Sequence, residues 1–74
     1  MSDVIKTRME IKKQMQERNL LFNVESMCEA EDELMNAADY VTDVYADMDS
    51  IEEAVDSWIF DTRQNYPETF QAVK

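Results

Sequence analysis

The chain has 74 residues and a formal net charge of −10, with no glycine, no histidine, one proline and one cysteine. One cysteine excludes a disulfide framework and a cysteine metal site, and the lack of histidine removes the commonest general base and metal ligand. Because tight β-turns usually contain glycine, its absence predicts an all-α fold, a small bundle of three main helices with a short C-terminal helical turn.

Charge is distributed unevenly along this single acidic domain, residues 1–74. Residues 1–20 contain five basic and three acidic side chains and sum to +2, whereas residues 21–74 contain two basic and fourteen acidic side chains and sum to −12. Phosphates would be repelled by the larger part, so direct nucleic-acid binding is not expected. No apolar run approaches the roughly 20 residues of a membrane-spanning helix and no signal peptide is visible, which predicts a cytoplasmic protein with no membrane partner.

The first predicted helix runs from about residue 3 to about residue 19, with Ser2 as its N-cap. The connection that follows contains Asn19 and Asn23, which adopt turn geometry without glycine. Apolar residues 20–22 lie between them and are expected to close one end of the core. The apolar side of the helix is formed by Val4, Ile5, Met9, Ile11 and Met15.

The longest predicted helix, residues 27–48, has two faces of opposite character, and Ser26 with Glu29 forms a capping-box pattern at its start. We expect its apolar stripe to pack against partner helices and to organise the domain. Apolar residues recur at helical spacing at Met27, Ala30, Leu34, Ala37, Ala38, Val41, Val44, Tyr45 and Met48. Acidic residues recur on the other side at Glu29, Asp32, Glu33, Asp39, Asp43 and Asp47.

A third helix is predicted for residues 51–64, where a second capping box pairs Ser50 with Glu53. Trp58 is its largest apolar residue, and we expect it to be buried and to anchor this helix on the longest one. Pro67 opens the predicted C-terminal turn, about residues 67–73. The outer side of the third helix carries Glu52, Glu53 and Asp56.

Several apolar residues are expected to fill gaps in the core or at its ends. Phe70 is expected to fold back onto the bundle, and Phe60 to pack against the C-terminal turn. Methionine is flexible and fills irregular spaces, so most methionines are expected to be buried. The predicted core methionines are Met9, Met15, Met27, Met35 and Met48.

The acids between residues 43 and 53 do not match a calcium loop. An EF-hand needs acids at positions 1, 3 and 5, glycine at 6 and glutamate at 12. A loop starting at Asp43 places Tyr45 at position 3 and Ala54 at 12, and one starting at Asp47 places Trp58 at 12. We therefore expect no metal site, no cofactor, no catalytic residues and no enzymatic activity.

The acidic row is either a solvated surface or a surface that complements a basic site. Solubility of a small domain needs a net charge of magnitude about 2–8, and like charges four residues apart on a helix cost roughly 0.2–0.5 kcal/mol per pair. The excess of charge favours a binding surface. The predicted partner-binding residues are Glu29, Asp32, Glu33, Asp39, Asp43, Asp47, Glu52, Glu53 and Asp56.

In size, charge and lack of glycine, the chain resembles the small acidic helical proteins that phages use against host enzymes, such as anti-restriction and anti-CRISPR inhibitors. That resemblance implies a non-enzymatic inhibitor in the host cytoplasm that binds the nucleic-acid-binding site of a basic host protein as a nucleic-acid mimic. The alternative is a self-associating structural or regulatory protein, for instance a homodimer, or an antitoxin or adaptor covering a basic partner. The position of the basic side chains of the first helix separates these hypotheses. If they neutralise the acidic face, self-association is favoured; if they lie on the opposite surface, the acidic face is available to an outside partner.

Overall fold

The computed structural model describes residues 3–72. This part of the chain is mostly helical, with three helices as predicted, but it also contains an antiparallel two-stranded sheet that the sequence analysis did not predict. The elements are helix α1 (Val4–Glu17), strand β1 (Leu20–Phe22), helix α2 (Met27–Val44), helix α3 (Ile51–Asn65), a 3-10 turn (Pro67–Thr69) and strand β2 (Phe70–Ala72).

The C-terminal segment forms a strand where a helical turn was predicted. Only its first three residues are helical, as the 3-10 turn, and β2 then pairs with β1 in the register Leu20↔Ala72, Leu21↔Gln71 and Phe22↔Phe70. Residue 73, the predicted end of the turn, lies outside the described residues. Strand pairing gives hydrogen-bond partners to the backbone of both apolar segments, which a buried loop would leave unsatisfied. Leu20, Phe22 and Phe70 are buried and Leu21 is exposed.

The two asparagines after α1 have different roles. Asn19 adopts a positive φ of 55°, the left-handed geometry predicted for it, and no other residue between 3 and 72 does so. Asn23 instead extends the contact with the C-terminal segment, because its backbone N–H donates to the carbonyl of Thr69 (2.9 Å) and its side chain donates to the carbonyl of Glu68 (3.1 Å). A positive φ at asparagine is tolerated, so the turn needs no glycine.

Side-chain caps start the second and third helices. Ser26 Oγ accepts from the backbone N–H of Glu29 (3.1 Å), and the Glu29 carboxylate accepts from the backbone N–H of Glu25 (3.0 Å). At α3, Ser50 Oγ accepts from the backbone N–H of Glu53 (3.1 Å). Both predicted cap serines are therefore confirmed.

The first helix begins at Val4, one residue later than predicted. Asp3 occupies its N-cap position and makes no side-chain capping hydrogen bond. The predicted N-cap, Ser2, lies outside the described residues. The start of α1 therefore depends on packing further along the helix.

Helix α2 ends at Val44, four residues before its predicted end. The backbone N–H of Tyr45 still donates to the carbonyl of Val41 (3.0 Å), and the chain then leaves the helix in a turn. No basic residue occupies the last turn of α2, while Asp43 and Asp47 lie at its end. Because the helix dipole disfavours acids at a C-terminus, continuing the helix through Asp47 would be unfavourable.

Helix α2 was predicted to be the central element of the packing, but helix α1 has this position instead. It contacts both other helices extensively, whereas α2 and α3 contact each other much less. All three helices and both strands contribute to one apolar core. It consists of Ile11, Met15, Leu20, Phe22, Leu34, Ala37, Ala38, Val41, Ala54, Val55, Trp58, Ile59 and Phe70.

A buried glutamine connects α1 to the start of α3. The side-chain amide of Gln14 donates to the carboxylate of Glu10 (2.8 Å) and to the backbone carbonyl of Glu52 (3.0 Å). Its carbonyl oxygen accepts from the guanidinium of Arg18 (3.0 Å), which also forms an ion pair with Asp56. Gln14 is only 4% exposed, so these bonds satisfy a polar group inside the domain.

Three aromatic rings join α3 to the sheet. Trp58 is buried as predicted, and its ring meets the Phe70 ring edge-on with centroids 5.6 Å apart. Phe70 in turn stacks on Phe22 at 5.6 Å. Phe70 therefore folds back as predicted, and the aromatic partner of Trp58 is in β2 rather than in α2.

The prediction of buried methionines is wrong for all but Met15. Met9 and Met27 are 65% and 79% exposed, and Met35 and Met48 are also exposed, as is Phe60. The buried residues of α1 are Thr7, Ile11, Gln14 and Met15. Because this side of the helix faces the core, Ile5 and Met9 face solvent.

We predict that replacing Gln14 with alanine lowers the free energy of unfolding by about 1–3 kcal/mol, because buried hydrogen-bonding groups lose their partner. Urea denaturation followed by circular dichroism measures the change. Gln16→Ala is the control, since Gln16 is an exposed glutamine on the same helix. Equal midpoints for the two variants would contradict a structural role for the Gln14 amide.

Candidate functional site

Most of the predicted binding residues lie on one exposed side of α2. At 100° per residue, Glu29, Asp32, Glu33, Asp39 and Asp43 fall within one arc of the helix, and all five are exposed. We call these five residues the α2 acidic face. The buried residues of α2 point the opposite way and are Leu34, Ala37, Ala38 and Val41.

Four carboxylates of this face have no partner in the part of the chain that the structure describes. Asp32, Glu33, Asp39 and Asp43 make no side-chain hydrogen bond or ion pair within residues 3–72. Glu29 differs, because its carboxylate accepts a hydrogen bond from the backbone N–H of Glu25, just before the helix. Glu29 therefore has a structural role at the start of α2, and the other four carboxylates are free to bind a partner.

The remaining predicted residues do not join the α2 acidic face. Asp47 lies in the turn after α2. Glu52, Glu53 and Asp56 are on the exposed side of α3, where they line a shallow cavity of about 330 Å³ together with residues of α1 and with no acid of α2. Asp56 is also neutralised by its ion pair with Arg18. The structure thus separates the predicted set into five residues on α2, three on α3, and Asp47 in the turn between the two helices.

The basic side chains of α1 leave the α2 acidic face unneutralised. Lys6, Arg8, Lys12 and Lys13 form no ion pair within residues 3–72, where the pair between Arg18 and Asp56 is the only one found. The carboxylates of α2 therefore keep their charge and their hydrogen-bonding capacity toward an outside group.

An aromatic residue lies among the acids of α2. Tyr40 is 51% exposed and falls in the same arc of the helix as Asp39 and Asp43. Its ring meets the Tyr45 ring edge-on at 6.3 Å, and the Tyr45 hydroxyl donates to the Asp61 carboxylate (2.7 Å). An exposed tyrosine beside carboxylates offers a ring face to a guanidinium or to an apolar side chain.

The described residues were compared with the side-chain arrangements that hold metal ions and with the helices that cross membranes. Within residues 3–72, no group of three or more histidine, cysteine, aspartate or glutamate side chains is arranged to hold a metal ion. Cys28 is exposed and carries a free thiol. None of the helices in this range has the length and apolar character required to cross a bilayer.

The chain was compared with protein families, curated proteins and solved structures. No protein-family model matches the chain, and neither a curated protein nor a solved structure is similar to it.

We predict that Tyr45 titrates with a pKa of about 12, raised first by burial and then by its hydrogen bond to Asp61. Because unfolded tyrosine titrates near pH 10, Tyr45 contributes stability that is complete below about pH 10 and is lost as the pH rises through about 12. The difference in phenolate absorbance between the wild type and Tyr45→Phe during a pH titration isolates this group. A midpoint near 10 would show that both the burial of Tyr45 and its contact with Asp61 are absent in solution.

Proposed function

We propose that the chain is a non-enzymatic inhibitor that uses the α2 acidic face to bind the basic, nucleic-acid-binding site of a host protein. One observation carries the proposal. The carboxylates of Asp32, Glu33, Asp39 and Asp43 are exposed on one side of a helix and lack partners within residues 3–72, although α1 carries several basic side chains.

The spacing of these carboxylates suits a site that normally holds phosphates. Asp32 and Asp43 are eleven residues apart, which is about 16 Å along a helix axis. Phosphates of one nucleic-acid strand advance by about 3.4 Å, so the face has the length of roughly five phosphates. Arginine and lysine side chains in such a site would form charge-assisted hydrogen bonds with the carboxylates.

Long-range attraction also favours this kind of partner. The chain has a net charge of −10, and a nucleic-acid-handling protein presents a basic groove. Attraction between the two speeds association and makes it dependent on salt. The size and charge of the chain agree with inhibitors of the phage anti-restriction and anti-CRISPR type, which act in the host cytoplasm.

We predict that the immobilised wild-type protein captures a nucleic-acid-handling protein from nuclease-treated bacterial lysate and releases it in a salt gradient. The face variant Asp32→Asn, Glu33→Gln, Asp39→Asn and Asp43→Asn should lose this capture, because it removes the four carboxylates that lack partners. The measurement is mass spectrometry of the fractions eluted by salt.

A charge-matched variant distinguishes recognition by the α2 acidic face from a general effect of net charge on capture. Asp3→Asn, Glu17→Gln, Asp49→Asn and Glu68→Gln also remove four negative charges, from exposed positions outside α2. This control should capture the same protein as the wild type. Equal capture by the face variant, or equal loss in both variants, would contradict recognition by the α2 acidic face.

We also predict that the face variant is at least as stable as the wild type. Asp39 and Asp43 are four residues apart, as are Glu29 and Glu33, and such like-charge pairs cost roughly 0.2–0.5 kcal/mol each. Urea denaturation should therefore give an unchanged or slightly higher midpoint. Loss of folding would mean that these acids have a structural role.

A further inference from the structure

An apolar groove opens on the side of α2 away from its acidic face. It lies between the second half of α1, strand β1 and the first half of α2, and has a volume of about 370 Å³. Leu21 and Met27 line it and are 53% and 79% exposed. Four other lining residues belong to the buried core, namely Met15, Leu20, Phe22 and Leu34. Apolar side chains that are exposed together in this way can form the centre of an interface.

The charged residues around the groove have opposite signs on its two sides. Lys12 comes from α1, whereas Glu25 precedes α2 and Glu31 is part of it. None of the three forms an ion pair within residues 3–72. In a pair of chains related by a two-fold axis, each side of the groove can meet the opposite side of the partner, so that Lys12 of one chain faces Glu31 of the other.

The location of the groove also suits a second copy of this chain. Two chains of net charge −10 repel each other in general, but residues 1–20 sum to +2 and supply part of the groove. Approach through this side of the molecule brings Lys12 of one chain toward the acidic start of α2 in the other.

We propose that the protein forms a symmetric homodimer in which Leu21 and Met27 of each chain pack into the groove of the other. The apolar residues form the centre of the interface, and Lys12 and Glu31 form its polar rim, the usual arrangement of such surfaces. The groove and the α2 acidic face lie on opposite sides of α2, so this dimer leaves the acidic face free. The proposal does not depend on the function proposed above.

Sedimentation equilibrium of the full chain over a wide concentration range tests the dimer. The mass should approach twice the 8.7 kDa of one chain as the concentration increases. Leu21→Asp should raise the dissociation constant by about 30-fold, as the loss of an interface hot spot does. Met9→Asp is the control, because Met9 is exposed and does not line the groove, and it should leave the dissociation constant unchanged.

A charge exchange tests the orientation of the two chains. Lys12→Glu and Glu31→Lys should each weaken the dimer, and the double variant should restore it, since the pair is then reversed at both places in the interface. A monomer at every concentration would overturn the proposal. A dimer that is insensitive to Leu21→Asp, or one that the double variant fails to restore, would also overturn it.

Discussion

The buried side chain of Gln14 makes the polar contact that joins α1, the central helix of the packing, to α3. Its amide reaches the carbonyl of Glu52 at the start of α3, and its carbonyl oxygen holds Arg18, which in turn pairs with Asp56. These bonds fix α1 against α3 while α1 also packs against α2. With α1 at the centre, the apolar stripe of α2 is directed inward and its carboxylates are directed to solvent.

Local sequence patterns were sufficient to predict the helices but not the sheet. The cap serines Ser26 and Ser50 determine where α2 and α3 begin, and each can be recognised from a few neighbouring residues. The sheet depends on contact between β1 and β2, which come from distant parts of the chain and contain three residues each. No pattern within such a short segment indicates its partner, and the stacking of Phe22, Phe70 and Trp58 that stabilises the pairing is visible only in three dimensions.

Only part of the candidate site could be predicted, because only part of it depends on a local pattern. Helical spacing was enough to place Asp32, Glu33, Asp39 and Asp43 on one side of α2. It could not show that α2 ends before Asp47 or that Arg18 neutralises Asp56. Those outcomes depend on the end of a helix and on the approach of a second element. The exposure of Met9 follows from which side of α1 packs against the other two helices, and no local pattern contained that information.

We propose that the α2 acidic face occupies the place of nucleic acid on its target, and competition on a captured target tests this most directly. The measurement is the apparent dissociation constant of the target for its own nucleic acid at increasing concentrations of this protein. Our account predicts that the apparent constant increases in proportion to the protein concentration without reaching a plateau, because the two ligands exclude each other. An unchanged constant, or a plateau that reveals a complex of all three components, would contradict it.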